Sequence, residues 1–482
     1  MSSSAGVSGP VSVWNPRYKR NVYLYFIIYA LLGVVTGVTN NTMENYLDLI
    51  APNLITGMMI YSAISSIFMA WLLAEIHRFG YKQMLVWSSV ISAASLLVFI
   101  FTRVFWIVAI AYVVNSTFVA MFDVVYPLMF AVETPRAKRT KFFQYIMIDN
   151  LFFQAIMTFF GGKIAVKVYS GLMHISYAAA GALSSNEESL RGLQLEKWLE
   201  SYQAVIWIAV VFAAAAFFFA LLMKDEKQDY QETDEERAAR HEQKEKFSWK
   251  KKETWKRLFT RDVIMWFIYV NINGFGASLC LPYFPIFLSH FLHIERGAVS
   301  TIIALQTVAM FLGYFLADRL EKKFGSVGSL VLAVGCCIPL MLLMPNLGSI
   351  AHAIGISVTI TTGVILFFRS GIANMASPVS GSLSMSLVPK DYRPAFSSAG
   401  TVIGLCVSFL EGLFTQYVLF TTNQGYATAY YIAAGCYVVS IVFLMLTLFK
   451  KYNRISRREA AAVAAAVAEE AKGSQEQAGA SA

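Results

Sequence analysis

Runs of about twenty residues with almost no charge recur from one end of this chain to the other, and they limit its fold more than any other feature. Twelve can be drawn, about 22–49, 53–76, 83–102, 104–131, 143–166, 203–223, 263–291, 297–318, 326–346, 350–376, 396–420 and 427–449. Each is long enough to cross roughly 30 Å of hydrocarbon at about 1.5 Å per residue. Composition agrees: 57% of residues are apolar and 14% charged, where soluble domains average about 45–50% and 25%. The pattern predicts an all-α integral membrane protein with twelve transmembrane helices.

A formal charge of +9 invites a nucleic-acid reading, but the basic residues fall between the apolar runs, where they act as topogenic signals. Arg17, Lys19, Arg20, Arg78, Lys82, Arg136, Lys138, Arg139, Lys141, Arg319, Lys322, Lys323, Lys390 and Arg393 gather on one side. The short loops of the other side hold Arg103 and Arg296 and little else. Both termini are therefore expected in the cytoplasm, with 167–202 as an external loop carrying a short amphipathic helix near 188–200. The polar first residues show no cleavage site, so the first helix is expected to be its own insertion signal. The five cysteines lie inside apolar runs without metal-ligand spacing and read as small core residues.

The chain divides into a cytoplasmic segment 1–21, a six-helix bundle 22–223, a charged cytoplasmic linker 224–262, a second bundle 263–450 and a tail 451–482. Within the linker, 246–259 interleaves bases with Trp249, Trp255 and Phe259, as a surface-lying helix would, or simply forms a positively charged connection. The halves repeat. Arg78-Phe79-Gly80 answers to Lys323-Phe324-Gly325, and Thr134-Pro135 with Arg139 answers to Val388-Pro389 with Arg393. Such duplication marks transporters built from two related bundles.

The segment from Gly313 through Asp318 and Arg319, followed by Lys323-Phe324-Gly325, resembles a loop signature of the major facilitator superfamily (MFS). The turn Pro389-Lys390-Asp391-Tyr392-Arg393 is similar to another. In the copy near Arg78 and Gly80, His77 stands where the signature has an aspartate. The drug-antiporter series in span 5 is reduced to Gly161-Gly162, so that subfamily is not supported. The resemblance implies two pseudo-symmetric six-helix bundles, with spans 1, 4, 7 and 10 lining a central cavity.

Ionisable groups at bilayer depth cost about 2.5–3.5 kcal/mol on insertion scales and are functional candidates by default. Arg369 falls near the middle of span 10, at the depth of Asn115 in span 4, and is expected either to hold an anionic solute or to lock the bundle in an ion pair. Asn271, Asn273, Tyr126 and Phe368 join Arg369 and Asn115 as expected substrate contacts; Gln306 reads as a packing hydrogen bond. Asp123, Glu44, Glu411 and Asp149 are the candidates for proton coupling or gating, each with a structural ion-pair or solvated alternative. Pro282 and Pro285 are expected to bend span 7.

No metal spacing, phosphate loop or catalytic triad is present in the sequence, so an enzyme, a cofactor or a nucleotide-driven pump is not expected. The reading is a monomeric secondary carrier of a small organic solute, with a preference for a carboxylate, coupled to protons. Its expected location is the plasma membrane, with the bacterial inner membrane foremost. Lipophilic-drug efflux, a transport-dead receptor and a lipid scramblase are the alternatives. The orientation is testable by impermeant labelling of intact cells: Ser185→Cys should react and Ser474→Cys should not, and the reverse pattern would overturn it.

Overall fold

The computed structural model describes residues 14–134, 139–226, 258–389 and 392–453, with helices and turns but no strand among them. Residues 246–257 of the basic-aromatic segment, Pro135, Arg136, Lys138, Lys390, Asp391, the tail from 454 and the His77 side chain lie outside the described residues.

The first helix, α1, spans Pro16–Ile50. It is followed by α2 (Met58–Ala74), α3 (Tyr81–Phe101), α4 (Phe105–Glu133), α5 (Arg139–Leu172) and α6 (Leu193–Leu221). Beyond the linker come α7 (Arg261–Phe291), α8 (Arg296–Phe324), α9 (Ser326–Leu343), α10 (Val358–Ser386), α11 (Arg393–Phe414) and α12 (Asn423–Thr447). Eleven helices among the described residues are long and apolar enough to cross a membrane, and the shorter Met58–Leu72 of α2 makes the twelfth. Large apolar side chains such as Trp71, Phe101, Trp106, Phe218 and Leu446 lie on exposed helix faces, as contact with lipid requires.

Two expectations shift. The amphipathic stretch expected near 188–200 is not a separate helix: a short helix occupies Tyr177–Ser184, a tight turn Glu187–Ser189, and Leu193 already opens α6. Trp198 and Tyr202 bury their rings and so draw these first turns into the helix. Span 10 begins at Val358, because Gly355 adopts a left-handed conformation (φ 72°) that ends the preceding helix Leu347–Ile354. Arg369 nevertheless keeps the middle of α10 and the depth that Asn115 has in α4.

Three helices change pitch. The α-helix of α7 stops at Ser278, gives a 3₁₀ turn at Leu281–Tyr283 and ends in a π-helical turn at Phe287–Phe291. Pro282 and Pro285 lack the N–H that an uninterrupted helix needs, so the expected bend has its cause in the sequence. A π-helical stretch at Val38–Met43 interrupts α1, and another at Thr415–Leu419 follows α11. Such turns frequently sit at functional sites.

The chain forms two compact units. Of the described residues, the first comprises 14–38, 65–134, 139–157 and 206–226. Gly33 lets α1 cross tightly over the backbone of Asn150 on α5. The Asn115 amide donates to Ser95 Oγ at 2.9 Å, joining α4 to α3. Asn21 on α1 donates to Glu133 Oε1 at 2.9 Å and accepts from the Lys224 N–H at 3.1 Å.

The second unit comprises 39–64, 158–205 and 239–482, so the later parts of α1 and α5 and the start of α6 pack with the last six helices. Within it, a Cβ on Gly313 would collide with the Gly371 carbonyl, so α8 and α10 meet backbone to backbone. An apolar core gathers Trp266, Phe267, Leu330, Leu383, Phe396 and Leu444.

The internal repeat reaches the backbone. Gly80 (φ 84°, ψ 166°) opens α3 and Gly325 (φ 77°, ψ 167°) opens α9 in nearly the same conformation, which suits only glycine.

The crossing at Gly313 can be tested on purified protein. Gly313→Ala should lower the melting temperature, with overpacking costing about 1–3 kcal/mol. Gly381→Ala, where no atom lies within 4 Å of the added Cβ, should not. Equal melting of the two variants would contradict the packing.

Candidate functional site

In the second unit α7, α8, α9, α10 and α12 line a cavity of about 360 Å³. Arg369 stands in its wall, 1% exposed, because the apolar run Val364–Phe368 carries α10 through hydrocarbon and the Gly313–Gly371 crossing draws α8 against the next turn. Its Nη2 donates to the Tyr437 hydroxyl at 3.2 Å, and its guanidinium lies 5.3 Å from the Phe284 ring centre. Its Nε is buried without a hydrogen-bond partner. Among the described residues no carboxylate forms an ion pair with it.

Asn273 joins Arg369 in the cavity wall; Asn271 does not, and its amide donates back to the Phe267 carbonyl at 2.8 Å. Phe368, expected beside Arg369, points to an exposed face at 56% accessibility, since neighbours on a helix diverge by about 100°. The structure adds Gln306, Ser370, Asn374 and Tyr437 to the wall. Tyr437 escaped the sequence because α12 was not among the helices expected to line a cavity. The spacing of Tyr430 and Tyr437 by two turns, with both rings buried, was the available signal.

Glu411 is the acid of this region. Its side chain is buried, Oε2 lies 2.6 Å from Ser278 Oγ, and Oε1 has no partner. Ser278 Oγ also lies 2.7 Å from the Gly274 carbonyl. The Ser278 hydroxyl donates to Glu411 Oε2 and the Gly274 carbonyl competes for the same proton, so the acid has one shared donor and one unpaired oxygen.

The first unit holds a separate cluster. The Tyr29 hydroxyl donates to Asp123 Oδ1, and its ring packs 5.6 Å from that of Tyr126. The Asn150 amide donates to the Tyr29 carbonyl at 3.0 Å, and the adjacent Asp149 buries one carboxylate oxygen without a hydrogen-bond partner. Asn115 is not part of this cluster: its amide is spent on Ser92 and Ser95.

Glu44 stands in the second unit, within Coulombic reach of Arg296. Arg296 is fully buried, with Nη2 donating to the Asn41 carbonyl at 2.8 Å and to Asn41 Oδ1 at 2.7 Å. Its backbone N–H donates to Ser184, and its guanidinium lies 5.8 Å from the Tyr202 ring centre. Around it, Asn41 donates to Ser300, Glu187 accepts from Trp198 and Tyr202, and His290 Nδ1 lies 3.3 Å from Asp48 Oδ2. In sequence Arg296 looks like a loop base. Its isolation on a side otherwise poor in bases is what could have singled it out.

The loop-signature residues divide. Gly313 is a packing contact, and Gly325 and Gly80 fix turns. Asp318 pairs with Lys322 on its own helix at 2.6 Å, Arg319 is exposed, and Arg78 pairs with Glu75 at 3.8 Å. Among the described residues no group of three or more His, Cys, Asp or Glu is placed to hold a metal ion.

A family model described as Major Facilitator Superfamily matches residues 21–410. No curated protein matches the chain in sequence. Among solved structures, a D-xylose-proton symporter superposes with a TM-score of 0.64 at 14% identity, over 90% of this chain and 98% of that one. A nucleoside transporter, NupG, gives 0.60 at 14% identity over 89% and 99%. A bacterial homologue of the iron transporter ferroportin gives 0.58 at 12% identity over 89% and 98%. At these identities the likeness is one of fold alone.

Arg296 offers a test that needs no substrate. Arg296→Ala should strip Asn41 Oδ1 of its Arg296 donor, costing about 1–3 kcal/mol and lowering the melting temperature, while the Asn41 carbonyl keeps the Asn45 amide. Exposed Arg103→Ala should not. Unchanged melting of Arg296→Ala would show that the Asn41 contacts carry no stability.

Proposed function

Because the chain belongs to the Major Facilitator Superfamily, whose transporter fold it shares, we infer that it is a secondary carrier of a small carboxylate-bearing solute, coupled to protons. The observation that carries the reading is Arg369. A guanidinium buried at mid-helix keeps its charge, and in low dielectric that charge needs an opposite one. Within ion-pair distance among the described residues it has only neutral neighbours, Tyr437 first among them. A solute carboxylate would supply the missing charge through paired hydrogen bonds on the guanidinium edge.

Proton coupling rests on acids carried by the spanning helices. Glu411 is the foremost, buried with one carboxylate oxygen unpaired. Asp123, Glu44 and Asp149 remain the other candidates. The D-xylose-proton symporter bears proton coupling in its name, and that property is carried over here as part of the proposal. Transport would proceed by alternating access between the two six-helix halves. The excess of bases on one side supports an orientation with both termini in the cytoplasm, and the plasma membrane is the proposed location.

Counterflow and uphill uptake in proteoliposomes loaded with a carboxylate panel test this reading. Arg369→Lys should insert normally yet lose most substrate affinity, and Arg369→Ala should lose transport altogether. Glu411→Gln should lose accumulation while keeping part of its exchange. Normal carboxylate transport by well-folded Arg369→Ala would overturn the assignment.

A further inference from the structure

The cavity beside Arg369 holds more unsatisfied polar groups than one carboxylate can use. Arg369 Nε, Ser370 Oγ, Gln306 Oε1 and Asn273 Oδ1 are all buried without a partner, and all four residues line it. These atoms are closed to water as they stand, so a ligand meets them where their side chains turn into the cavity that the four residues line. A carboxylate only accepts hydrogen bonds. It would satisfy the guanidinium, but it would leave the carbonyl oxygens of two amides, on α7 and α8, without donors. Leaving such atoms buried and unpaired costs about 1–3 kcal/mol each. The ligand that completes the cavity therefore also donates.

An ammonium could donate, but among the described residues of the wall Arg369 is the one Lys, Arg, Asp or Glu. A second positive charge there would face no acid. Hydroxyl groups donate without adding charge. They also accept, so they fit Asn273 and Gln306 whichever way each amide is turned. Beside the polar groups, Val270, Met310, Leu330 and Val334 offer apolar surface for a carbon backbone. The volume of about 360 Å³ lies at the small end of the roughly 300–1,000 Å³ typical of small-molecule sites.

We propose that this cavity binds a hydroxylated monocarboxylate, with the carboxylate on Arg369 and the hydroxyls on Asn273, Gln306 and Ser370. The proposal rests on the reading of Arg369 as an anion site and adds the hydroxyl groups as the specificity element.

Binding of matched acids to the purified full-length protein, followed by thermal shift and by titration, tests it. The pairs are glycerate against propionate and gluconate against hexanoate, with sorbitol as the neutral polyol. At least one hydroxylated acid should bind about tenfold or more tighter than its deoxy partner, because a site built around hydroxyls rejects an analogue that lacks them. Asn273→Leu and Gln306→Leu should erase that preference while keeping the weaker binding of the deoxy acid, which also shows that the variants are folded. Arg369→Ala should abolish binding of both acids.

If neither hydroxylated acid is preferred, or if the preference survives both leucine variants, the proposal is overturned, and binding of the deoxy acids through Arg369 would leave the carboxylate reading intact. If sorbitol binds as tightly as gluconate, or if Arg369→Ala still binds the acids, the carboxylate reading itself falls and takes the proposal with it.

Discussion

In hydrocarbon a polar group can bond only to the protein that carries it, and each one left unsatisfied costs several kcal/mol. That constraint accounts for the helices, which bond their own backbone, and for glycines such as Gly33 and Gly313, which allow helices to meet without apolar burial as a driving force. It also makes the exceptions informative. Asn115 on Ser92 and Ser95, and Asn21 between Glu133 and Lys224, are polar groups that the fold has satisfied. The orphaned atoms around Arg369 and on Glu411 are groups that it has not.

Two arginines make the contrast concrete. Both are at most 1% exposed. Arg296 is held by both oxygens of Asn41, with Glu44 within Coulombic reach, at the point where residues 39–64 and 158–205 join the last six helices in one unit. Arg369 has one tyrosine and a phenylalanine face. Both keep buried nitrogens without a hydrogen-bond partner, Nε and Nη1 on Arg296 and Nε on Arg369, and what sets Arg369 apart is its place in a cavity wall.

Much of this was legible in the sequence. The charge-poor runs gave the helices to within a few residues at most ends, and the paired Arg-Phe-Gly and Lys-Phe-Gly turns exposed a repeat that Gly80 and Gly325 confirm in their dihedral angles. Arg369 stood out because a lone guanidinium in an apolar run calls for an opposite charge, from a solute or from an ion pair within the bundle. Sequence could not give its neighbours. Tyr437 lies on a distant helix, and whether Gln306, Asn273 or Asn271 turns inward depends on the rotation of helices that share no local signal. Arg296 was hidden for a related reason: its burial comes from partners on α1 and α6 and from the Ser184 turn, far away in the chain. The stretch 188–200 misled because the amphipathic opening of a membrane helix has the same periodicity as a surface helix.

The central claim of the proposal is that the charge of Arg369, which has no ion-pair partner among the described residues, is kept for a solute. A double-mutant cycle with Glu411, the buried acid that shares Cys280 as a neighbour, tests this most directly. Melting of the parent protein, Arg369→Gln, Glu411→Gln and the double variant should give effects that add to within about 0.3–0.5 kcal/mol. A strongly destabilised Arg369→Gln rescued by Glu411→Gln, with a buried unpaired acid costing about 3–5 kcal/mol, would show instead that the two form a structural ion pair.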